Sequence, residues 1–81
     1  MDDDDLFERI SALVDEEHHL VGKASPGEPL SETDETRLQE LEVRLDQCWD
    51  LLRQRRARRA AGLDPDDAKV RGAETVEHYQ Q

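Results

Sequence analysis

The sequence predicts an all-α chain, an antiparallel helical hairpin with a long second helix, a short third helical turn and a flexible C-terminal tail. Three observations carry that expectation. Apolar residues recur at helical spacing over 6–21 and again over 38–52. Two prolines and a glycine gather between those stretches, in Lys23–Leu30. Each stretch also opens on residues that cap helix N-termini, Asp5 and Ser31.

The first helix is expected at about residues 5–21. Asp5 serves as its N-cap and Glu8 reaches back to the cap amide, while Asp2, Asp3 and Asp4 sit at the positive end of the helix dipole. In heptad terms Phe7, Val14 and Val21 share one position and Ile10 and Glu17 the next, with Leu6, Leu13 and Leu20 alongside. Gly22 suits the C-terminal cap.

The second helix is expected at about 32–61, since no glycine or proline interrupts it before Gly62. Its length is roughly 45 Å at 1.5 Å per residue. Leu38, Leu41, Leu45, Cys48 and Leu52 form an a/d seam of coiled-coil type, flanked by Trp49 and Leu51. Beyond Leu52 the helix continues through strong helix formers as an arginine cluster, Arg53, Arg55, Arg56, Arg58 and Arg59. Residues 1–62 thus form the hairpin, and 63–81 a short turn with a mobile tail. Asp64 caps that turn and Pro65 takes its first helical position. Val76 and Tyr79 are the tail's anchors.

At 81 residues with 35% apolar and 40% charged composition, a single core is marginal without help. One cysteine, Cys48, forms no intramolecular disulfide and fits a reducing cytoplasm. Self-association supplies the missing core, so the expected assembly is a homodimeric four-helix bundle. A net charge of −10 disfavours nucleic acid and anionic membranes as partners of the whole molecule, and no apolar run is long enough for a membrane span.

The charge is polarised. Residues 1–50 carry sixteen acids and four bases, whereas 51–61 carry five arginines and no acid. An antiparallel register brings Asp2–Asp5 to the region of Arg53–Arg58 and leaves the outer arginines, Arg56, Arg58 and Arg59, available. In an antiparallel dimer these approach Glu32, Asp34 and Glu35 of the other copy, and raising salt is expected to weaken the pair.

No catalytic, cofactor or metal constellation survives inspection. Glu16 and His19 have the i, i+3 spacing of di-metal bundles but fall on the wet face. Glu17, on the seam, is expected to pair with Arg37 or Arg44. Cys48 reads as a buried core thiol, and Trp49 as a packing anchor within the chain or between subunits. The arginine cluster fits an acidic protein partner better than phosphates, because no aromatic residue interleaves it.

Asp5–Ile10, Leu13–His18 and above all Leu41-Glu-Val-Arg-Leu-Asp-Gln-Cys-Trp-Asp-Leu-Leu-Arg-Gln-Arg-Arg-Ala-Arg-Arg59 resemble a small actinobacterial family of uncharacterised proteins, a domain of unknown function. Asp64-Pro65-Asp66, Val70-Arg71 and Val76-Glu77 with Tyr79 resemble that family's ending. The resemblance implies a cytoplasmic bacterial protein and brings no activity with it. The actinobacterial ubiquitin-like modifier is also short and acidic, but it ends in Gly-Gly before Glu or Gln. This chain ends Glu77-His-Tyr-Gln-Gln81. The expectation is a non-enzymatic, self-associating interaction module. The alternative is a nucleic-acid or ribosome-associated factor acting through the arginines.

Overall fold

A computed structural model describes residues 2–24 and 27–79. Among them the regular structure is helical: α1 (Asp3–Lys23), α2 (Glu32–Ala60), a 3-10 turn (Pro65–Asp67) and α3 (Ala73–Tyr79). Helix α1 packs antiparallel on α2, and the turn and α3 return along another face of α2. The molecule measures 53 × 25 × 16 Å, with a radius of gyration of 15.3 Å. A compact chain of this length would have a radius nearer about 12 Å. Elongation leaves little depth for a core.

Helix α1 begins earlier than expected. Asp2, not Asp5, is its N-cap, and Asp5 takes the role assigned to Glu8. The Asp5 amide donates to Asp2 Oδ1 at 2.8 Å and the Asp2 amide donates to Asp5 Oδ2 at 3.2 Å. Gly22 lies inside the helix rather than at its cap, which is Ala24. Helix α2 starts as expected, with Ser31 Oγ accepting from the Asp34 amide at 3.1 Å. It stops in a Schellman turn: the Leu63 amide donates to the Arg58 carbonyl at 2.8 Å and the Gly62 amide to Arg59 at 3.1 Å. Gly62 adopts φ +74, a conformation that side-chain-bearing residues rarely take.

The main apolar cluster is Leu6, Ile10, Leu45, Cys48, Leu51 and Leu52, with Leu13, Val14 and Ala68 packed against it. Leu20 and Leu41 are buried toward the interhelical loop. The seam of α1 is therefore Leu6, Ile10, Leu13 and Leu20. This shifts the phase from the expected Phe7–Val14–Val21. One residue is a rotation of about 100°, enough to leave Phe7 43% and Val21 53% exposed. Trp49 is 41% exposed and does not anchor the intrachain core. Leu38 and Val14 are half-buried.

The segment after Leu63 differs most from expectation. Residues 73–79, read as mobile tail, form α3, whose Val76 is 1% exposed against α2. The expected contact of Tyr79 and the last two residues, Gln80 and Gln81, lie outside what is described.

Candidate functional site

The arginine cluster sits where α2 outruns the hairpin, and most of it is already engaged. Arg55 occupies the seam position after Leu52 and is 5% exposed. Its Nε donates to Asp3 Oδ1 at 2.7 Å, and its terminal nitrogen donates to Asp66 Oδ1 at 2.9 Å and the Pro65 carbonyl at 3.3 Å. Arg59 closes on the same Asp3 carboxylate. Hydrogen bonds from Arg59, then from Arg55, hold the Asp3 carboxyl below its ordinary range despite partial desolvation. Arg58 donates to the Asp64 carbonyl at 2.6 Å and approaches Asp67 at 3.4 Å. The expectation that Arg55 meets partners is thus corrected by its burial, and Arg58 and Arg59, expected to stay available, are held by Asp64, Asp67 and Asp3. Arg53 and Arg56 are exposed and form no ion pair among the described residues.

A second polar stripe on α2 straps down the returning chain. Gln47, Asp50 and Gln54 recur at i, i+3 and i+7 and so share a face. Gln47 donates to the Arg71 carbonyl at 3.2 Å and Gln54 to the Lys69 carbonyl at 2.8 Å. Asp50, 1% exposed, accepts from Arg71 at 2.9 and 2.5 Å and from Gln54 at 2.9 Å. Burial pushes the Asp50 carboxyl up, but the bonds from Arg71 and Gln54 outweigh it and leave the group below its ordinary value.

Near the loop end, Glu16, not Glu17, pairs with Arg37, at 2.5 and 3.1 Å. Glu17 is half-buried. The Glu16 carboxyl is lowered chiefly by the Arg37 hydrogen bonds. His18 and His19 are exposed. No three His, Cys, Asp or Glu side chains gather as metal ligands among the described residues. Cys48 is buried, and desolvation raises its thiol pKa against the weaker pull of Arg9. A thiol held protonated is a poor nucleophile.

The hairpin's two flanks differ. One carries an open groove of about 460 Å³ lined by Leu13 and by the edges of the buried Leu6, Cys48 and Leu51. Val70, Gln47, Arg9 and Arg44 form its rim. The other flank carries Phe7, Val14 and Val21 from α1 and Trp49 from α2, each one residue and so about 100° past a seam residue, with Leu38 at the seam's edge on the same side. Arg53 and Arg56 continue that flank toward the open end. No described helix is long and apolar enough to cross a membrane.

A family model for proteins of unknown function, DUF2630, matches residues 2–81. The chain belongs to the DUF2630 family. Uncharacterized proteins of Mycobacterium bovis and of two Mycobacterium tuberculosis strains are each 44% identical over 77 residues, covering 95% of this chain and 88% of the relative. These mycobacterial relatives agree with the actinobacterial resemblance. No solved structure matches the chain.

In this DUF2630 chain, charge clustering singled out the arginines and the hairpin register placed Asp2–Asp5 against them, as the Asp3 pairs show, but neither pointed to Asp50, Gln47 or Gln54. Two further signals were present in the sequence. Arg55 continues the 41–45–48–52 ladder, and Gln47-Asp50-Gln54 has helical-face spacing beside it.

Proposed function

We propose that this protein is a non-enzymatic, cytoplasmic interaction module that works as a homodimer. The observation that carries the reading is the apolar flank of Phe7, Val14, Val21, Leu38 and Trp49. Phe7, Val21 and Trp49 are 43%, 53% and 41% exposed although the chain has few large apolar residues to spend. The returning segment and α3 pack elsewhere on α2, so this flank stays open.

A two-fold axis crossing near Val14 and Leu45 stacks two hairpins antiparallel and closes a four-helix bundle. Trp49 of one copy then meets the Val21–Leu38 level of the other. Arg53 and Arg56 arrive beside Glu35 of the other copy, on the same flank, so the free cations and the acid-rich loop end are complementary. Nucleic acid is a weaker reading, because Arg55, Arg58 and Arg59 are held within the chain and only two guanidiniums of the cluster remain.

Sedimentation equilibrium tests the proposal. The wild type is expected as a concentration-dependent dimer, and Trp49→Glu as a monomer of unchanged helicity by circular dichroism. A wild type that stays monomeric into the hundred-micromolar range overturns it.

A further inference from the structure

Three side chains of α2 read the segment that follows the 3-10 turn. Gln54 donates to the Lys69 carbonyl at 2.8 Å and Gln47 to the Arg71 carbonyl at 3.2 Å, so one face of α2 grips alternate carbonyls of a chain running antiparallel to it. Between them Asp50, 1% exposed, accepts from the Arg71 guanidinium at 2.9 and 2.5 Å. Main-chain contacts that give affinity, joined to one bidentate side-chain contact that gives choice, are the means by which peptides are recognised. Little else holds the segment. The main apolar cluster belongs to α1 and α2, and Ala68, packed against it, precedes the segment. Beyond Gly72, α3 buries Val76. Segments with few apolar contacts open before the core does.

The two ends of this occupant fit differently. Arg71 brings a cation to Asp50. Further along, Glu77 brings an acid to Asp46 and Glu42, and one of its oxygens is buried without a hydrogen-bond partner. The stripe of Glu42, Asp46, Gln47, Asp50 and Gln54 contains no base, with Arg53 at its border. An acid pressed against acids loses hydration and gains repulsion, where a base would gain attraction at the same place. We propose that this face of α2 is a binding site for a basic segment of another protein, kept occupied in the resting chain by residues 69–79 as an autoinhibitory strap. The partner segment carries arginine in the register of Arg71 and a second base in the register of Glu77. A second copy of the chain offers only the same mismatched segment. The strap holds its place because it is tethered, and a linked segment acts at a high effective concentration. The site lies on a face of α2 away from Trp49, so its occupancy and dimerisation are separable.

Fluorescence anisotropy of the full chain with labelled peptides of residues 68–81 tests the proposal. One peptide has the native sequence, one carries Glu77→Lys, and one is a scramble of the latter with the same charge. The Glu77→Lys peptide should saturate at one per chain and bind about tenfold more tightly than the native peptide, the worth of one charge-assisted contact. Arg71→Gln in the chain loosens the strap and should raise affinity for that peptide. Glu77→Lys in the chain fastens the strap and should lower it. Adding Asp50→Asn to Arg71→Gln should weaken binding by about tenfold or more. Hydrogen exchange on the wild type needs no variant: saturating Glu77→Lys peptide should deprotect residues 73–79 and leave α1 unchanged. Binding should persist in Trp49→Glu, which separates this test from that of the dimer. Equal affinity for the native and Glu77→Lys peptides, equal binding of the scramble, one affinity across wild-type, Arg71→Gln and Glu77→Lys chains, or unchanged exchange over 73–79 at saturation each overturns the assignment.

Discussion

Asp50 and Arg55 are the polar residues that burial treats as core, and each is held by the returning chain. Burying a charge is costly unless it is paired and hydrogen-bonded, and Asp50 meets both conditions through Arg71 and Gln54. Arg71 keeps 42% of its side chain in solvent, so the pair is worth less than a fully buried one. Asp50→Ala should therefore cost about 2–3 kcal/mol, below the roughly 3–5 typical of breaking a buried pair. Urea denaturation checks that figure, and hydrogen exchange locates it. Protection should fall around Val76 before it falls around Leu45, because the strap opens first. The pH sense follows from the lowered carboxyl. Its contribution is complete above the ordinary aspartate value near 3.8 and disappears as the pH falls through the lower folded value. Arg55 sits in the same logic: Asp3 on its Nε and Asp66 on a terminal nitrogen tie α1 and the 3-10 turn to one guanidinium.

At the scale of elements, what the sequence shows is set by how far an apolar pattern determines orientation. Two helices, their loop and the caps at Ser31 and Asp64 were legible because capping and turn chemistry are local. The phase of α1 was not. Leu6-Phe7, Leu13-Val14 and Leu20-Val21 are adjacent apolar pairs, so either member can lead the stripe, and only packing on α2 selects the leucines. Helix α3 was missed because the segment leading into it is held by polar contacts, Lys69 and Arg71 on Gln47, Asp50 and Gln54, and Val76 is the buried apolar residue of the helix itself. That helix also carries a conflict. Glu77 is raised above its ordinary value first by sharing a hydrogen bond with Asp46, then by burial, with Glu42 adding like charge. One of its oxygens is buried without a partner. A raised carboxyl favours docking at low pH, and that support is lost as the pH rises through the folded value. Amide exchange in α3, corrected for intrinsic rates, should accordingly slow as the pH falls from neutrality through the raised folded value toward the ordinary glutamate value near 4.5. Glu77→Gln should slow it already at neutral pH, because the amide donates to Asp46 and carries no charge. Equal exchange in wild type and Glu77→Gln would sink this account.

The whole molecule combines a thin 53 × 25 × 16 Å body with a net charge of −10, and association must reconcile the two. A thin body leaves apolar surface uncovered, which favours a second copy. Net charge repels that copy over a range set by the Debye length, about 8 Å at physiological ionic strength. In the proposed dimer salt relieves this repulsion while also screening Arg53 and Arg56 from the Glu35 of the other chain. A salt series thus sums two opposed effects, and the simple weakening expected from sequence holds only where the local pairs dominate. Exchanging charges separates them. Arg53→Glu with Arg56→Glu in one chain should reduce homodimerisation, and so should Glu35→Arg in another. Mixing the two restores one end directly, since the new glutamates meet the new arginine. The other end keeps its native pairing of Arg53 and Arg56 with Glu35. The mixture should therefore form heterodimer under conditions where neither variant pairs with itself, read by native mass spectrometry. Net charge cannot produce that outcome, because the double-glutamate chain is more acidic than the wild type. Heterodimer in the mixture therefore reports the antiparallel register itself, and two monomers side by side would exclude it.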